Sequence, residues 1–124
     1  MKKKVLLVED VKAVREALHE KMEMEGLEVI DAVDGEEGLK KFSEEKPDLI
    51  LLDIIMPKMD GITMLRELRQ RAEGKDAPVI ILTNLSDADS IEASIKSGVS
   101  DYLVKADWKI GDLMEKIKQR LGSS

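Results

Sequence analysis

The reactive side chains of this 124-residue chain stand immediately after short apolar runs. Val5-Leu6-Leu7-Val8 leads into Glu9-Asp10, Leu49-Ile50-Leu51-Leu52 into Asp53, Val79-Ile80-Ile81-Leu82 into Thr83, and Tyr102-Leu103-Val104 into Lys105. A fifth run, Glu28 to Val33, ends at Asp34 without joining this chemical set. Glu9, Asp10 and Asp53 are hard oxygen ligands, and carboxylates gathered in one cleft repel one another until a cation or a proton neutralises them. Magnesium suits such a set, because it takes a few carboxylates together with a phosphate; calcium fits less well, since no loop has the ligand spacing of a calcium hand. A carboxylate such as Asp53 can attack phosphorus to give an acyl phosphate. The remaining task is positioning and neutralising three phosphoryl oxygens. A cation can meet one, the Lys105 ammonium a second and the Thr83 hydroxyl a third. Each residue also has a plainer reading: Asp10 as a helix cap, Thr83 as a structural strand end, Lys105 as a solvated charge. Their arrival at one edge is what favours chemistry.

Strands buried on both faces of a parallel sheet read as continuous Val/Ile/Leu runs, and open α/β sheets bind ligands at the carboxyl ends of those strands. Segments of helical period lie between the runs. Val14, Leu18 and Met22 share a face of a helix from about Val11 to Glu25, stopped by Gly26. Asp34 and Glu37 form a capping pair for a helix carrying Leu39 and Phe42. Asp60-Gly61 opens a third helix with Leu65 and Leu68 inward, and Ser86 or Asp87 caps a fourth that is expected to bury Ile91 and Ile95. Ile110, Leu113, Met114, Ile117 and Leu121 mark one face of the fifth. The expected fold is α/β, (βα)5 and doubly wound: a flavodoxin-like five-stranded parallel sheet of order 2-1-3-4-5. In that order Asp10 and Asp53 face each other at the switch point. The whole of residues 1–124 reads as one domain, with its core in 4–121 and a short tail at 122–124.

Bulk properties exclude several classes. Hydrophobic content of 43% beside 37% charged residues fits a globular domain rather than a disordered one. A net charge of −6 argues against a direct nucleic-acid surface, and Lys2-Lys3-Lys4 is a lone basic run at a terminus. No apolar stretch is long enough for a membrane span and no signal-peptide pattern is present, so the expected location is cytoplasmic with no membrane partner. The chain has no cysteine, which removes disulfides and thiolate chemistry. His19 reads as a solvated helix residue, and Trp108 as packing against the end of the sheet.

With these residues in hand, the chain resembles the receiver domain of two-component response regulators, the chemotaxis-type single-domain receiver. The resemblance covers residues 4 to 121. It rests on Val8-Glu9-Asp10, on the nine-residue segment Asp53-Ile54-Ile55-Met56-Pro57-Lys58-Met59-Asp60-Gly61, on Leu82-Thr83 and on Tyr102-Leu103-Val104-Lys105. It implies that Asp53 accepts a phosphoryl group from a phosphohistidine of a sensor histidine kinase or phosphotransfer protein. It further implies that Asp10, Asp53 and the Ile55 carbonyl bind Mg2+, with Glu9 acting through water, and that Thr83 and Lys105 contact the phosphoryl group. Thr83 and Tyr102 would form the switch that repacks the surface of helix 4, strand 5 and helix 5 for a downstream protein, the chain being a monomer or a phosphorylation-dependent dimer. Such a protein catalyses only its own phosphoryl transfer and autodephosphorylation.

Three positions depart from the family pattern. Ala106 stands where a proline, often after a cis bond, usually follows the lysine, so a trans Lys105–Ala106 bond is expected. Asn84 replaces a small residue after Thr83. Ile55 and Leu85 are apolar where they flank the phosphoryl group and cannot orient an attacking water, which implies slow phosphoryl loss. Three other functions compete. A pseudo-receiver that serves as an interaction module without phosphorylation would not need the complete acidic set. A flavodoxin-like electron carrier would need a hydroxyl- and glycine-rich loop where Glu9-Asp10-Val11-Lys12 stands. A phosphatase of the haloacid dehalogenase type would need a second aspartate where Ile55 stands.

Overall fold

The computed structural model describes residues 2–56 and 58–122; Pro57 of the nine-residue segment and Ser123-Ser124 of the tail lie outside the described residues. Five strands alternate with five helices: β1 (Lys4–Val8), α1 (Lys12–Met24), β2 (Glu28–Ala32), α2 (Gly35–Glu45), β3 (Leu49–Leu52), α3 (Gly61–Gln70), β4 (Val79–Thr83), α4 (Ala88–Lys96), β5 (Asp101–Val104) and α5 (Ile110–Arg120). All pairings are parallel, and the order is β2-β1-β3-β4-β5. The fold is therefore the flavodoxin-like α/β arrangement expected.

The apolar strands work because successive side chains leave opposite faces. Leu7, Leu51 and Ile80 enter a core with Leu18 and Met22 of α1 and Ile117 of α5. Leu6, Ile50 and Ile81 enter a second core with Phe42 of α2 and Met64 and Leu68 of α3. Each face is then sealed by helices, which leaves the strand ends as the place for polar chemistry.

Local capping follows the sequence closely. Asp34 accepts from Glu37 N at 2.9 Å while the Glu37 carboxylate accepts from Val33 N at 2.9 Å, a reciprocal arrangement that satisfies two otherwise free donors. Asp60 caps α3 through Thr63 N and Asp87, rather than Ser86, caps α4 through Ser90 N. Gly26 ends α1 with φ of +87°. Asp10 does not cap α1: the capping position is Val11, which makes no side-chain cap bond.

Two helical faces differ from expectation. In α4 the fully buried residue is Ser94, while Ile95 is 62% exposed and Ile91 half-buried. Just past the end of the helix, Arg69 of α3 donates to the carbonyls of Ser97 and Gly98 at 2.7 and 3.1 Å. Ile110 is also exposed: it opens α5 at the rim of a cleft of about 370 Å³ that Ala13, Val14, Ala17 and Leu18 of α1 line on the other side. Trp108 is half-buried against the α1/α5 core, as expected, with the Lys116 ammonium 5.9 Å from its ring centre.

His19 is not simply solvated. Its Nδ1 lies 2.8 Å from Asp31 of β2, and its Nε2 lies 3.3 Å from Glu23. The bond to Asp31 raises the His19 pKa above its ordinary 6.5, and the Coulomb attraction of both carboxylates adds to the rise against the opposing effect of burial. The folded chain thus holds this proton more tightly than the unfolded chain. The resulting stabilisation is complete below 6.5 and is lost as pH rises through the elevated folded value. Urea midpoints should therefore fall between pH about 5.5 and about 9 by more in the parent than in Asp31→Asn. The same fall in both proteins would show that the pair contributes nothing.

Candidate functional site

The register of the sheet sets the site. Val8 pairs with Leu52 and Thr83 with Val104, so Glu9 and Asp53 leave adjacent strand ends together, as do Asn84 and Lys105 one residue beyond the other pair. Asp53 N donates to Val8 O at 3.1 Å and Glu9 N to Ala32 O at 3.0 Å, which extends the main-chain ladder one residue into the site. Four of the sequence-selected groups converge. The Lys105 ammonium lies 2.7 Å from Glu9 Oε1 and 3.0 Å from Asp53 Oδ2. Glu9, Asp10 and Asp53 each bring one carboxylate oxygen into a group whose members all lie within 4.8 Å of one another.

The bond after Lys105 is trans, since no cis peptide bond occurs among the described residues. The chain turns through a short 3-10 segment, Lys105–Asp107, and the lysine reaches the carboxylates without the usual proline.

Electrostatics leaves this pocket incomplete. Glu9 and Asp53 are buried, at 2% and 5% exposure. Burial raises the Glu9 pKa, and the Asp53 charge adds to it; the hydrogen bonds from Lys105 and Val11 N work in the other direction. Burial also disfavours the Lys105 charge, but its hydrogen bonds to Glu9 and Asp53 outweigh that and raise its pKa. One ammonium faces three carboxylates, and the buried Oδ1 of Asp10 has no hydrogen-bond partner among the described residues. An unpartnered buried carboxylate oxygen is costly. A hard divalent cation is the group that this acidic cluster of Glu9, Asp10 and Asp53 fits.

The remaining selected residues sit around this centre. Ile55 donates its N–H to Asp53 Oδ1 at 3.2 Å, and its side chain is 54% exposed. Thr83 is fully buried, and its Oγ1 accepts from Leu85 N at 3.3 Å. The Tyr102 hydroxyl donates to Leu85 O at 2.6 Å. Burial raises the Tyr102 pKa, with smaller contributions from Asp87 and Asp53. Asn84 is exposed, and Leu85 half-buried. The backbone of Leu85 thus joins Thr83 to Tyr102, a role that no side-chain pattern announces. A second contributor outside the sequence-selected set is Arg15, whose Nη1 donates to Glu9 O at 3.0 Å and Asp10 O at 3.4 Å. Its signal was available: a cation near the start of α1, where the helix dipole favours anions.

Comparison with known proteins now identifies the chain. Residues 5–118 match the family model for the response regulator receiver domain, and the chain belongs to that family. Members are the regulatory phosphoacceptor modules of two-component signalling, which partner with histidine kinases. Among curated proteins, a probable transcriptional regulator ycf27 of Porphyridium aerugineum is 40% identical over 104 residues, covering 84% of this chain and 42% of that protein. The chain thus spans less than half the length of that relative. Among solved structures, a CheY-like receiver domain protein of Methanospirillum hungatei has 30% identity and a TM-score of 0.91, covering 98% of this chain and 95% of the other. The BeF3-activated N-terminal receiver domain of Klebsiella pneumoniae RstA has 29% identity and a TM-score of 0.87, covering 96% and 98%. No helix among the described residues is long and apolar enough to cross a membrane.

Gly61 supports the site from below. Its N–H donates to Ile54 O at 2.9 Å, and a Cβ built there would stand 2.4 Å from Asp53 O and 2.7 Å from Ile54 Cα. The start of α3 can rest on the Asp53 main chain only because that Cβ is missing. Gly61→Ala should cost about 1–3 kcal/mol through overpacking against backbone. Gly111→Ala in α5, where an added Cβ meets nothing within 4 Å, should be neutral or stabilising by up to about 1 kcal/mol. Denaturant midpoints of the two variants check this contrast, and equal shifts would contradict it.

Proposed function

We propose that this chain is a phosphorylation-dependent signalling switch in which Asp53 takes a phosphoryl group from a phosphohistidine of a sensor histidine kinase or phosphotransfer protein. The observation that carries the reading is the convergence of Glu9, Asp10, Asp53 and Lys105 at one sheet edge with an oxygen of Asp10 left unpartnered. The donor chemistry favours Mg2+, held by Asp10, Asp53 and the Ile55 carbonyl with Glu9 acting through water. Bound there, it would neutralise carboxylate and phosphoryl charge at the moment of transfer.

In the transfer itself an Asp53 carboxylate oxygen attacks phosphorus. The O–P bond forms, the P–N bond to the donor imidazole breaks, and the imidazole keeps that electron pair. Lys105 already lies 3.0 Å from Asp53, so its ammonium can follow the charge onto the phosphoryl oxygens. The Thr83 hydroxyl, now an acceptor from Leu85 N, can turn its proton toward the new anion. Movement of Thr83 reaches Tyr102 through Leu85 and gives the α4–β5–α5 surface a second packing. A downstream protein target would read that surface; no direct nucleic-acid or membrane partner is proposed, and the chain acts as a monomer or a phosphorylation-dependent dimer in the cytoplasm. A receiver solved as a BeF3-activated domain lies among the similar structures, which supports a pocket that changes state on loading. A pseudo-receiver would have no use for the unpartnered Asp10 oxygen.

Incubation with Mg2+ and a small acyl-phosphate donor should add one phosphoryl group by intact-protein mass spectrometry, and Asp53→Asn should gain none. A parent that stays unmodified, or a variant that is modified equally, sinks the reading.

The apolar Ile55, 54% exposed beside Asp53, and Leu85 offer no group to orient water. Loss of the phosphoryl group should be slow. Ile55→Asn should accelerate it by roughly tenfold, below the range of about 10²–10⁴ for a full general base. Rapid loss in the parent, unchanged by the substitution, would show that side chains at this position do not control hydrolysis.

A further inference from the structure

We infer that Arg15 is a positioning residue for the cation-binding carboxylates, acting through the main chain of the turn between β1 and α1; this rests on the reading of the site given above. The turn is fastened on its carboxylate side, where Glu9 Oε2 accepts from Val11 N at 3.1 Å. Val11 occupies the capping position of α1 without a side-chain bond, and the first turn holds no acidic residue. A cation near this end of a helix is disfavoured by the dipole, at about 0.3–1 kcal/mol for an exposed group. Arg15 therefore stands there against the local electrostatic preference, and its contacts indicate why.

Its guanidinium pairs with no carboxylate among the described residues. Instead Nη1 donates to the carbonyls of both acidic residues, Glu9 at 3.0 Å and Asp10 at 3.4 Å. For Glu9 every polar atom is then held: N by Ala32 O, O by Arg15, Oε1 by Lys105 and Oε2 by Val11 N. Asp10 has far less support. Its buried Oδ1 is unpartnered, and Arg15 is the side-chain donor on its carbonyl among the described residues. Arg15 thus closes the back of the turn while the carboxylates face the site. One nitrogen, Nη1, makes both contacts, and the planar guanidinium fixes its direction more tightly than the flexible stem of lysine fixes an ammonium.

The sign of the effect separates positioning from charge. A guanidinium acting only as a nearby positive charge would repel Mg2+, and its removal would tighten binding. A positioning residue does the opposite, because its removal lets the ligand carboxylates wander. Supporting partners of metal ligands typically carry about 10- to 100-fold in affinity.

The test is calorimetric titration of Mg2+ into the full chain. The parent should bind, Asp10→Asn should not, and Arg15→Ala should bind at least about tenfold more weakly, with Arg15→Lys between parent and alanine. In acyl-phosphate reactions, Arg15→Ala should need more Mg2+ for half-maximal phosphorylation while the rate at saturating Mg2+ stays near the parent's. If circular dichroism shows Arg15→Ala unfolded, Arg15→Gln and Arg15→Lys are read in the same way. Unchanged or tighter Mg2+ binding by the arginine variants, with or without a lower melting temperature, overturns the role of Arg15 and leaves the switch reading standing. A parent that binds no Mg2+ overturns both.

Discussion

The structure is organised around a charge imbalance that it does not settle internally. Three carboxylates meet at one edge of a sheet, and one ammonium bridges two of them. A buried ion pair is stable when every remaining lone pair is satisfied. Here Glu9 is fully satisfied, and Asp10 is left with a buried, unpartnered oxygen. Desolvation makes it costly, and the same cost becomes affinity once a divalent cation supplies the missing charge.

Holding like charges together demands a stiff frame, and the sheet provides it. The strands that lead to Glu9, Asp53 and Thr83 are buried on both faces, save only Lys4 at the start of β1. Main-chain bonds continue past the strand ends to fix Glu9 and Asp53 before any side chain is considered. Loops add further ties. Gly35 N donates to Met59 O at 3.2 Å, and Lys58 lies 3.9 Å from the buried Asp34, which joins the α2 entrance to the loop after Asp53. Lysine 105 completes the frame from β5, crossing beyond β4 to reach β1 and β3. Its trans link to Ala106 shows that this reach depends on strand register more than on the residue that follows.

The sequence conveyed the frame better than the fit of parts within it. Continuous runs such as Val79 to Leu82 admit few structures other than a doubly covered parallel strand, so order, parallelism and the site edge followed directly. Asp34, Asp60 and Asp87 were legible as caps because a short carboxylate before a helix has one favourable use. Helical phase was harder. Ile91 and Ile95 share a face with Ser94 between them, and apolar spacing alone points the isoleucines inward; in the structure Ser94 is buried and Ile95 exposed, while Arg69, far away in sequence, bonds the carbonyls just past the end of α4. His19 shows a related limit: its partner Asp31 lies on a strand, invisible to a helix pattern. Contacts made by main-chain atoms, such as Arg15 on two carbonyls or Leu85 between Thr83 and Tyr102, leave almost no trace in residue types.

The stiffness is not shared by α4, and that asymmetry is what a switch requires. Ser94 is its fully buried residue, with a hydroxyl that finds no partner among the described residues, and Ile95 faces outward at 62% exposure. Little apolar burial therefore holds the helix in its present rotation, whereas the carbonyls just past its end are held by Arg69. At the other end, the Thr83–Leu85 and Leu85–Tyr102 hydrogen bonds close the loop leading into it. Each such bond is worth on the order of 1 kcal/mol net, while a bond to a charged group is worth about 1.5–3 kcal/mol. A phosphoryl group on Asp53 that draws the Thr83 hydroxyl would thus exchange neutral bonds for a charged one at nearly balanced cost. A near balance of that kind, beside a loosely buried helix pinned at one end, lets a local change in charge shift a population rather than break the fold.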